Sequence, residues 1–88
     1  MFFIISFCEL REKEVINICD GSRYGNVADI IFCKNSGQIE FIVIPIGGKF
    51  FGLVGSSQEI RIPFCDIEQI GDDLIIVNID LKKCMFNY

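Results

Sequence analysis

The strongest constraint on this chain is the regular alternation of short apolar segments with turn-forming residues. Segments such as EVINIC (residues 14–19) and LIIVNI (residues 74–79) are rich in β-branched side chains, which favour strands. Turn signals recur about every 8–12 residues, and no segment predicts a helix of useful length. The pattern predicts an all-β domain. A barrel is favoured because a few strands leave unprotected edges unless the sheet curls shut.

The predicted strands are short, and glycine, asparagine or proline marks most of their ends. We predict six of them, over residues 14–19, 26–33, 38–44, 59–62, 68–70 and 74–79. Residues 20–25, 34–37 and 71–73 are expected to be turns. Pro45 and Pro63 are expected to end their strands because proline has no N–H for the ladder. After Glu40 the third strand is apolar on both faces, which indicates a central strand covered on both sides.

The size of the chain limits how it can become stable. Its 88 residues allow one domain, which buries only about 60–65% of the surface of the unfolded chain. The composition is accordingly 51% hydrophobic with nine phenylalanines, and the mean hydropathy of +0.45 is high for a water-soluble domain. We therefore expect a second copy or another protein to cover part of the apolar surface.

The charge distribution bears on the kind of partner. The net charge is −4, and the eight Lys and Arg residues are scattered, with only Lys82 and Lys83 adjacent. Nucleic-acid binding requires a clustered basic surface that replaces condensed counterions. We expect no direct binding to nucleic acid.

Cysteine and histidine usage bears on chemistry and location. The five cysteines lack zinc-site spacing, and the chain has no histidine. We interpret the thiols as small hydrophobes in a reducing cytoplasm, and we expect no metal or other cofactor. Without a nucleophile–base pair, the chain is not expected to be an enzyme. The apolar runs at residues 1–8 and 41–55 are too short or too interrupted to form a transmembrane segment.

Several motifs together resemble the PRC-barrel domain, and within it the YlmC/YmxH-type family of sporulation-associated proteins of Gram-positive spore formers. The opening resemblance lies in residues 9–17 and in the turn and strand of residues 20–30. The more specific resemblance lies in GKFFGLVG (residues 48–55) and IPFCDIEQIGDDLIIV (residues 62–77). Phe64 stands where relatives often carry tryptophan.

The resemblance implies a small SH3-like barrel, partly open or closed, with about six short strands. It divides the chain into an apolar extension (1–8), the PRC-barrel domain (9–80) and a tail (81–88). It also implies a cytoplasmic protein of spore formers. It implies no activity, whereas related barrels in a ribosome maturation factor and a photosynthetic reaction-centre subunit hold partners. A binding role is expected by this analogy.

The main candidate site is the glycine-punctuated segment of residues 47–55. An exposed apolar loop there would contact a protein partner or a second copy in a homodimer. Alternatively, the same side chains fold back and close one end of the barrel. The predicted contact residues are Lys49, Phe50, Phe51, Leu53 and Val54.

Weaker candidates have simpler alternatives. Asp20 and Asp29 could bind a cation, but turn formation is the better interpretation. The pair Asp72 and Asp73 is expected to be a solvated turn and not an acid–base dyad. Among the thiols, Cys33 and Cys65 are the ones to test for reactivity. Residues 1–7 are expected to add as an edge strand or to pack, which also favours self-association.

These observations lead to one main hypothesis and one alternative. The main hypothesis is a non-enzymatic protein-interaction module that self-associates as a homodimer and acts around sporulation. The alternative is a regulatory barrel that binds a small ligand or a metal.

Overall fold

The computed structural model describes residues 4–46 and 58–87. Two short helices, α1 (Phe7–Arg11) and α2 (Leu81–Cys84), and a 3₁₀ turn (Phe64–Asp66) accompany eight strands within these residues. The strands are β1 Glu14–Asn17, β2 Ser22–Asn26, β3 Asp29–Phe32, β4 Ile39–Ile46, β5 Gln58–Pro63, β6 Ile67–Ile70, β7 Leu74–Val77 and β8 Met85–Asn87.

The described strands form two four-stranded sheets. The first has the order β2-β1-β7-β6 and the second has the order β3-β4-β5-β8. β1 and β7 are parallel, and the other pairs are antiparallel. The predicted all-β class is confirmed, and the hydrogen bonds among the described strands close no barrel. The described residues alone form eight strands, where six were predicted for the chain.

The core lies between the two sheets and is built almost wholly from branched aliphatic side chains. Alternate residues of β4, β5, β1 and β7 have side chains that are less than 2% exposed: Ile42, Ile44, Ile60, Ile62, Val15, Ile75 and Val77. Burial of each such side chain contributes about 1.5–3 kcal/mol. Val43 lies on the opposite face of β4 and is also buried, as predicted for a central strand covered on both sides.

The prediction of a turn at residues 20–25 and one strand at 26–33 was wrong. β2 begins at Ser22, and the chain crosses from the first sheet to the second at the buried Val27. Val15 lies opposite Gly25 and Ile16 opposite Arg23, so Tyr24 is the extra residue of a β-bulge. Gly25 has a φ of 96°, and this conformation suits glycine inside a bulged strand.

The prediction that Pro45 ends its strand was also wrong. β4 continues to Ile46, and Pro45 lies opposite Glu59 of β5. On the other side, β3 accompanies β4 only as far as Val43. Pro45 therefore lies where one edge of β4 has no partner strand among the described residues, and a missing N–H is tolerated at such an edge.

Segments on both flanks contribute to the fold. α1 starts at Phe7 because Ser6 caps it, and Leu10 anchors it in the core. At the other end Asp80 caps α2, and β8 pairs with β5. The boundaries 1–8, 9–80 and 81–88 stay a prediction.

Candidate functional site: a cleft beside the edge strand β6

The predicted contact segment lies outside the described residues. This applies to Lys49, Phe50, Phe51, Leu53 and Val54. The candidate site that the described residues form is a surface cleft elsewhere in the chain.

A surface cleft of about 640 Å³ separates the N-terminal segment from β6. We call it the β6 cleft. Its lining residues come from the N-terminal segment, α1 and its end, the 3₁₀ turn, β6 and the following loop: Ile4, Ile5, Glu9, Lys13, Phe64, Ile67, Glu68, Gln69, Ile70, Gly71 and Asp72.

One wall of the β6 cleft is an unpaired strand edge. β6 is the last strand of the first sheet, with β7 on its inner side. Within residues 4–46 and 58–87, no strand pairs with its outer side, and no backbone hydrogen bond joins residues 4–6 to it. Such an edge presents N–H and C=O groups that can pair with an added strand.

The opposite wall is fixed by a capping box. The Ser6 Oγ accepts a hydrogen bond from the Glu9 N–H at 3.1 Å, and the Glu9 carboxylate accepts one from the Ser6 N–H at 3.0 Å. The backbone hydrogen bond from Ser6, followed by that from its hydroxyl, lowers the pKa of Glu9. This reciprocal cap fixes the chain direction where Ile4 and Ile5 enter the helix.

The floor of the cleft is tied to the strand that follows α1. The Lys13 Nζ donates to the Asp72 carbonyl oxygen at 2.6 Å, and the Glu14 N–H donates to the Asp73 carbonyl oxygen at 3.0 Å. These bonds hold the β6–β7 loop against the start of β1.

The β6 cleft combines exposed apolar side chains with charged ones. Ile4 is 84% exposed and Phe64 is 37% exposed, beside the charged side chains of Glu9, Glu68 and Asp72. The described lining includes no Ser, Thr, Cys or His side chain. Exposed apolar groups beside a free strand edge are features of a protein-contact surface.

A buried asparagine holds the first sheet together behind this surface. Asn17 is fully buried, and its Nδ2 donates to the Tyr24 hydroxyl at 2.9 Å and to the Ile79 carbonyl at 3.0 Å. Its Oδ1 accepts from the N–H groups of Cys19 and Ile79, both at 3.1 Å. All four hydrogen-bonding positions of the amide are used. Sequence analysis missed this residue because its long-range partners depend on the sheet register.

The carboxylates considered as ligands have local roles. Asp20 accepts a hydrogen bond from the Ser22 N–H at 2.9 Å, which is the predicted turn-forming role, and Asp29 accepts one from the Ile30 N–H at 2.8 Å. Asp72 and Asp73 are exposed in a loop, as expected. Among the described residues, no three His, Cys, Asp or Glu side chains gather as metal ligands.

The five cysteines are free thiols in different environments. The interpretation as small hydrophobes fits Cys84, which is buried, and burial raises its thiol pKa. It was wrong for Cys8, Cys19 and Cys65, which are exposed.

Cys33 is half-buried beside the loop that joins β3 to β4. A hydrogen bond from the Ser36 hydroxyl, then bonds from the backbone N–H groups of Ser36 and Asn35, lower the pKa of the Cys33 thiol. Cys33 is one of the two thiols that the sequence indicated for a reactivity test, and the Ser36 hydroxyl is the largest cause of its lowered pKa.

A second charged cluster lies on β5 and β8. The Arg61 Nε lies 2.5 Å from the Glu59 carboxylate, and the Arg61 guanidinium carbon lies 4.3 Å from the Phe86 ring centroid. Phe86 reaches this position because β8 places it opposite Glu59. The sequence did not reveal this cluster, since residues 81–88 were interpreted as a tail.

Comparison with known proteins agrees with the two-sheet architecture. The PRC-barrel domain profile matches residues 4–83. The chain therefore belongs to the PRC-barrel family, which confirms the resemblance.

Two relatives from Bacillus subtilis (strain 168) are similar over most of the chain. A protein named "Probable sporulation protein YlmC" is 34% identical over 76 residues, covering 86% of this chain and 94% of the relative. The protein named YmxH is 36% identical over 73 residues, covering 81% of this chain and 85% of the relative. Among the described residues, neither helix has the length and apolar character needed to cross a membrane.

Proposed function

We propose that this chain is a non-enzymatic protein-interaction module that works in or around sporulation in the cytoplasm. The β6 cleft is the observation that carries the proposal, because it combines exposed Ile4 and Phe64 with an unpaired strand edge. The link to sporulation comes from the name of the relative YlmC.

The absence of catalytic and nucleic-acid roles is part of the same proposal. No His occurs in the chain, and the described lining of the β6 cleft includes no Ser, Thr or Cys side chain. Three basic side chains already have oxygen partners: Lys13 with Asp72, Arg23 with Glu14, and Arg61 with Glu59. This supports a surface that does not bind phosphate backbones.

The proposal includes self-association as a homodimer through Lys49, Phe50, Phe51, Leu53 and Val54. Two adjacent phenylalanines between glycines form a compact apolar group in the sequence. Burial of each aromatic ring in an interface would contribute about 1.5–3 kcal/mol. The proposed dimer contact and the β6 cleft involve different residues, and we assign the cleft to a different protein.

Sedimentation equilibrium tests the self-association. We expect Phe51→Asp to shift the assembly to monomer, because a buried unpaired carboxylate is costly in an apolar contact. Phe32→Asp is the matched control, since Phe32 is 58% exposed on β3 and should leave the assembly unchanged. An unchanged assembly and melting curve for Phe51→Asp would remove this segment from the proposal.

The alternative function is a regulatory barrel that binds a small ligand. The volume of the β6 cleft, about 640 Å³, lies within the range of small-molecule sites. Native mass spectrometry of protein purified from its own cells distinguishes the two functions. A retained small molecule whose loss lowers the melting temperature would favour the ligand-binding alternative.

A further inference from the structure

We infer that the β6 cleft binds an extended segment of another protein with alternating apolar and basic side chains, added as a strand to the outer edge of β6. The inference rests on the proposed interaction function and specifies the chemistry of the partner. It follows from three properties of the cleft: a free edge, apolar walls and an acidic rim.

The free edge determines the conformation of the partner. β6 is held on its inner side by β7, with Gln69 opposite Ile76 and Ile70 opposite Ile75. All four residues of β6 line the cleft, and its outer edge has no strand partner among the described residues. An extended peptide satisfies such groups by β-strand addition, whereas a helix does not.

The apolar walls determine half of the partner's side chains. Ile67 and Ile70 are half-buried on β6, and Ile4 and Phe64 project apolar surface at the sides of the cleft. Side chains of an added strand point alternately to the two faces of the sheet. Alternate apolar residues would therefore cover this surface while the others face the rim.

The charged rim determines the other half of the partner's side chains. It carries the carboxylates of Glu9, Glu68 and Asp72 against the single ammonium group of Lys13. Lys13 already donates to the Asp72 carbonyl oxygen. Three negative groups and one positive group give these lining residues a formal charge of about −2. Electrostatic complementarity favours a basic partner and increases its association rate.

The same charges disfavour a second copy at this position. Two β6 edges paired around a two-fold axis would bring one acidic rim against another, and the whole chain already has a net charge of −4. Like charges across an interface oppose association. The partner is thus a different and basic chain.

A bulge limits the strength of this binding. The register of β6 against β7 shifts between Ile67 and Gln69, at Glu68. A bulge shortens the regular stretch available to a new strand. We expect a small interface and a dissociation constant in the micromolar range.

Two labelled peptides of about nine residues test the inference. Both alternate Val with a charged residue, Lys in one and Glu in the other, and both are titrated with full-length protein by fluorescence anisotropy. We expect the Lys peptide to bind at least about tenfold more tightly. Its affinity should fall between 0.05 and 0.5 M salt because exposed charges are screened. In ¹⁵N-resolved NMR spectra it should shift the amides of β6 and residues 4–9.

Charge-reversal variants locate the contact. We expect Glu68→Lys to weaken the Lys peptide at least about fivefold and to strengthen the Glu peptide. Asp29→Lys makes the same charge change on β3, an edge strand of the second sheet, and should shift the affinities of both peptides by less than about twofold.

Other results would overturn the inference. Equal affinities for the two peptides would contradict the role of the acidic rim. Amide shifts away from β6 would contradict the position. Absence of binding by either peptide would mean that the β6 cleft has no such occupant. Chemical-shift changes in β6 that grow with protein concentration alone would mean that a second copy of the chain occupies the cleft. If the peptides fail to bind but Phe51→Asp still dissociates the dimer, the proposed self-association stands and only the β6 inference is lost. The two proposals are therefore tested separately.

Discussion

Replacing Asn17 with leucine would remove one amide that bridges β1, β2 and the segment after β7. The side chain is fully buried, and its partners include the N–H and C=O of Ile79, which lies 62 positions further along the chain. Leucine has a similar volume but offers no hydrogen bond. The substitution therefore isolates the polar contribution more cleanly than a truncation.

The expected cost follows from the groups that lose their partner. Ile79 is 4% exposed, so its N–H and C=O would be left buried and unsatisfied, at about 1–3 kcal/mol each. The N–H of Cys19 lies closer to solvent and adds little. We expect the free energy of unfolding to fall by about 2–6 kcal/mol. The melting temperature should fall by at least about 8 °C in a domain of this size.

Urea unfolding followed by circular dichroism measures this change. Asn26→Leu is the control, because the Asn26 amide makes an exposed hydrogen bond to the Lys13 carbonyl at 3.0 Å, and it should cost less than about 1 kcal/mol. If Asn17→Leu were within about 1 kcal/mol of wild type, the argument that this amide is essential to the first sheet would be refuted.

Further predictions concern pH, thiol reactivity and the helix cap. Burial raises the pKa of the Cys84 thiol above 9.0, and it is the main cause that raises the pKa of the Tyr24 hydroxyl above 10.0. The neutral forms of both groups therefore favour the folded state. Their contribution to the free energy of unfolding is present below pH 9 and is lost as the pH rises through the folded-state pKa values. Urea titrations should show this loss, and Cys84→Ala should lose less over the same interval. Iodoacetamide mapping at pH 7 should find Cys33 the fastest thiol, and Ser36→Ala should slow it because the hydroxyl stabilises the thiolate; equal rates in both proteins would contradict this. Ser6→Ala should lower stability by about 0.5–2 kcal/mol and increase amide exchange at α1 in NMR, whereas unchanged exchange would contradict the capping role.

The aliphatic strands were the most predictable part of the fold. The β-branched run of β7 and the alternating polar and apolar residues of β5 gave the correct class and most positions, because burial on one face of a sheet imposes a period of two. Pro63 was also predicted correctly as the end of its strand, since β5 ends there. These features are local and are therefore visible in the sequence.

The errors came where a long-range partner overrides a local signal. Gly25 lies in a segment whose composition is typical of a turn, yet it pairs with β1 as part of a bulged strand. Pro45 is a strand breaker, yet β5 continues beside it. Phe86 looked like part of a tail, yet β8 completes the second sheet. In each case tertiary pairing decides the outcome, as is common for strands.

The β6 cleft was not predictable for the same reason. Phe64 and Glu68 belong to the motif that suggested the family, but nothing local indicates that residues 4–9 face them. The apolar character of the N-terminal residues did suggest packing or strand addition. Only the order of strands in the first sheet, which places β6 at its edge, defines the cleft as a contact surface.

Amide hydrogen exchange of the free protein, followed residue by residue by NMR, tests the free edge of β6 most directly. Amides of β1 and β7 should exchange only through global unfolding, since both strands lie inside the first sheet. Those β6 amides that do not bond to β7 should exchange orders of magnitude faster. Uniformly slow exchange along Ile67–Ile70 at low protein concentration would mean that the edge is already covered, and would contradict the account.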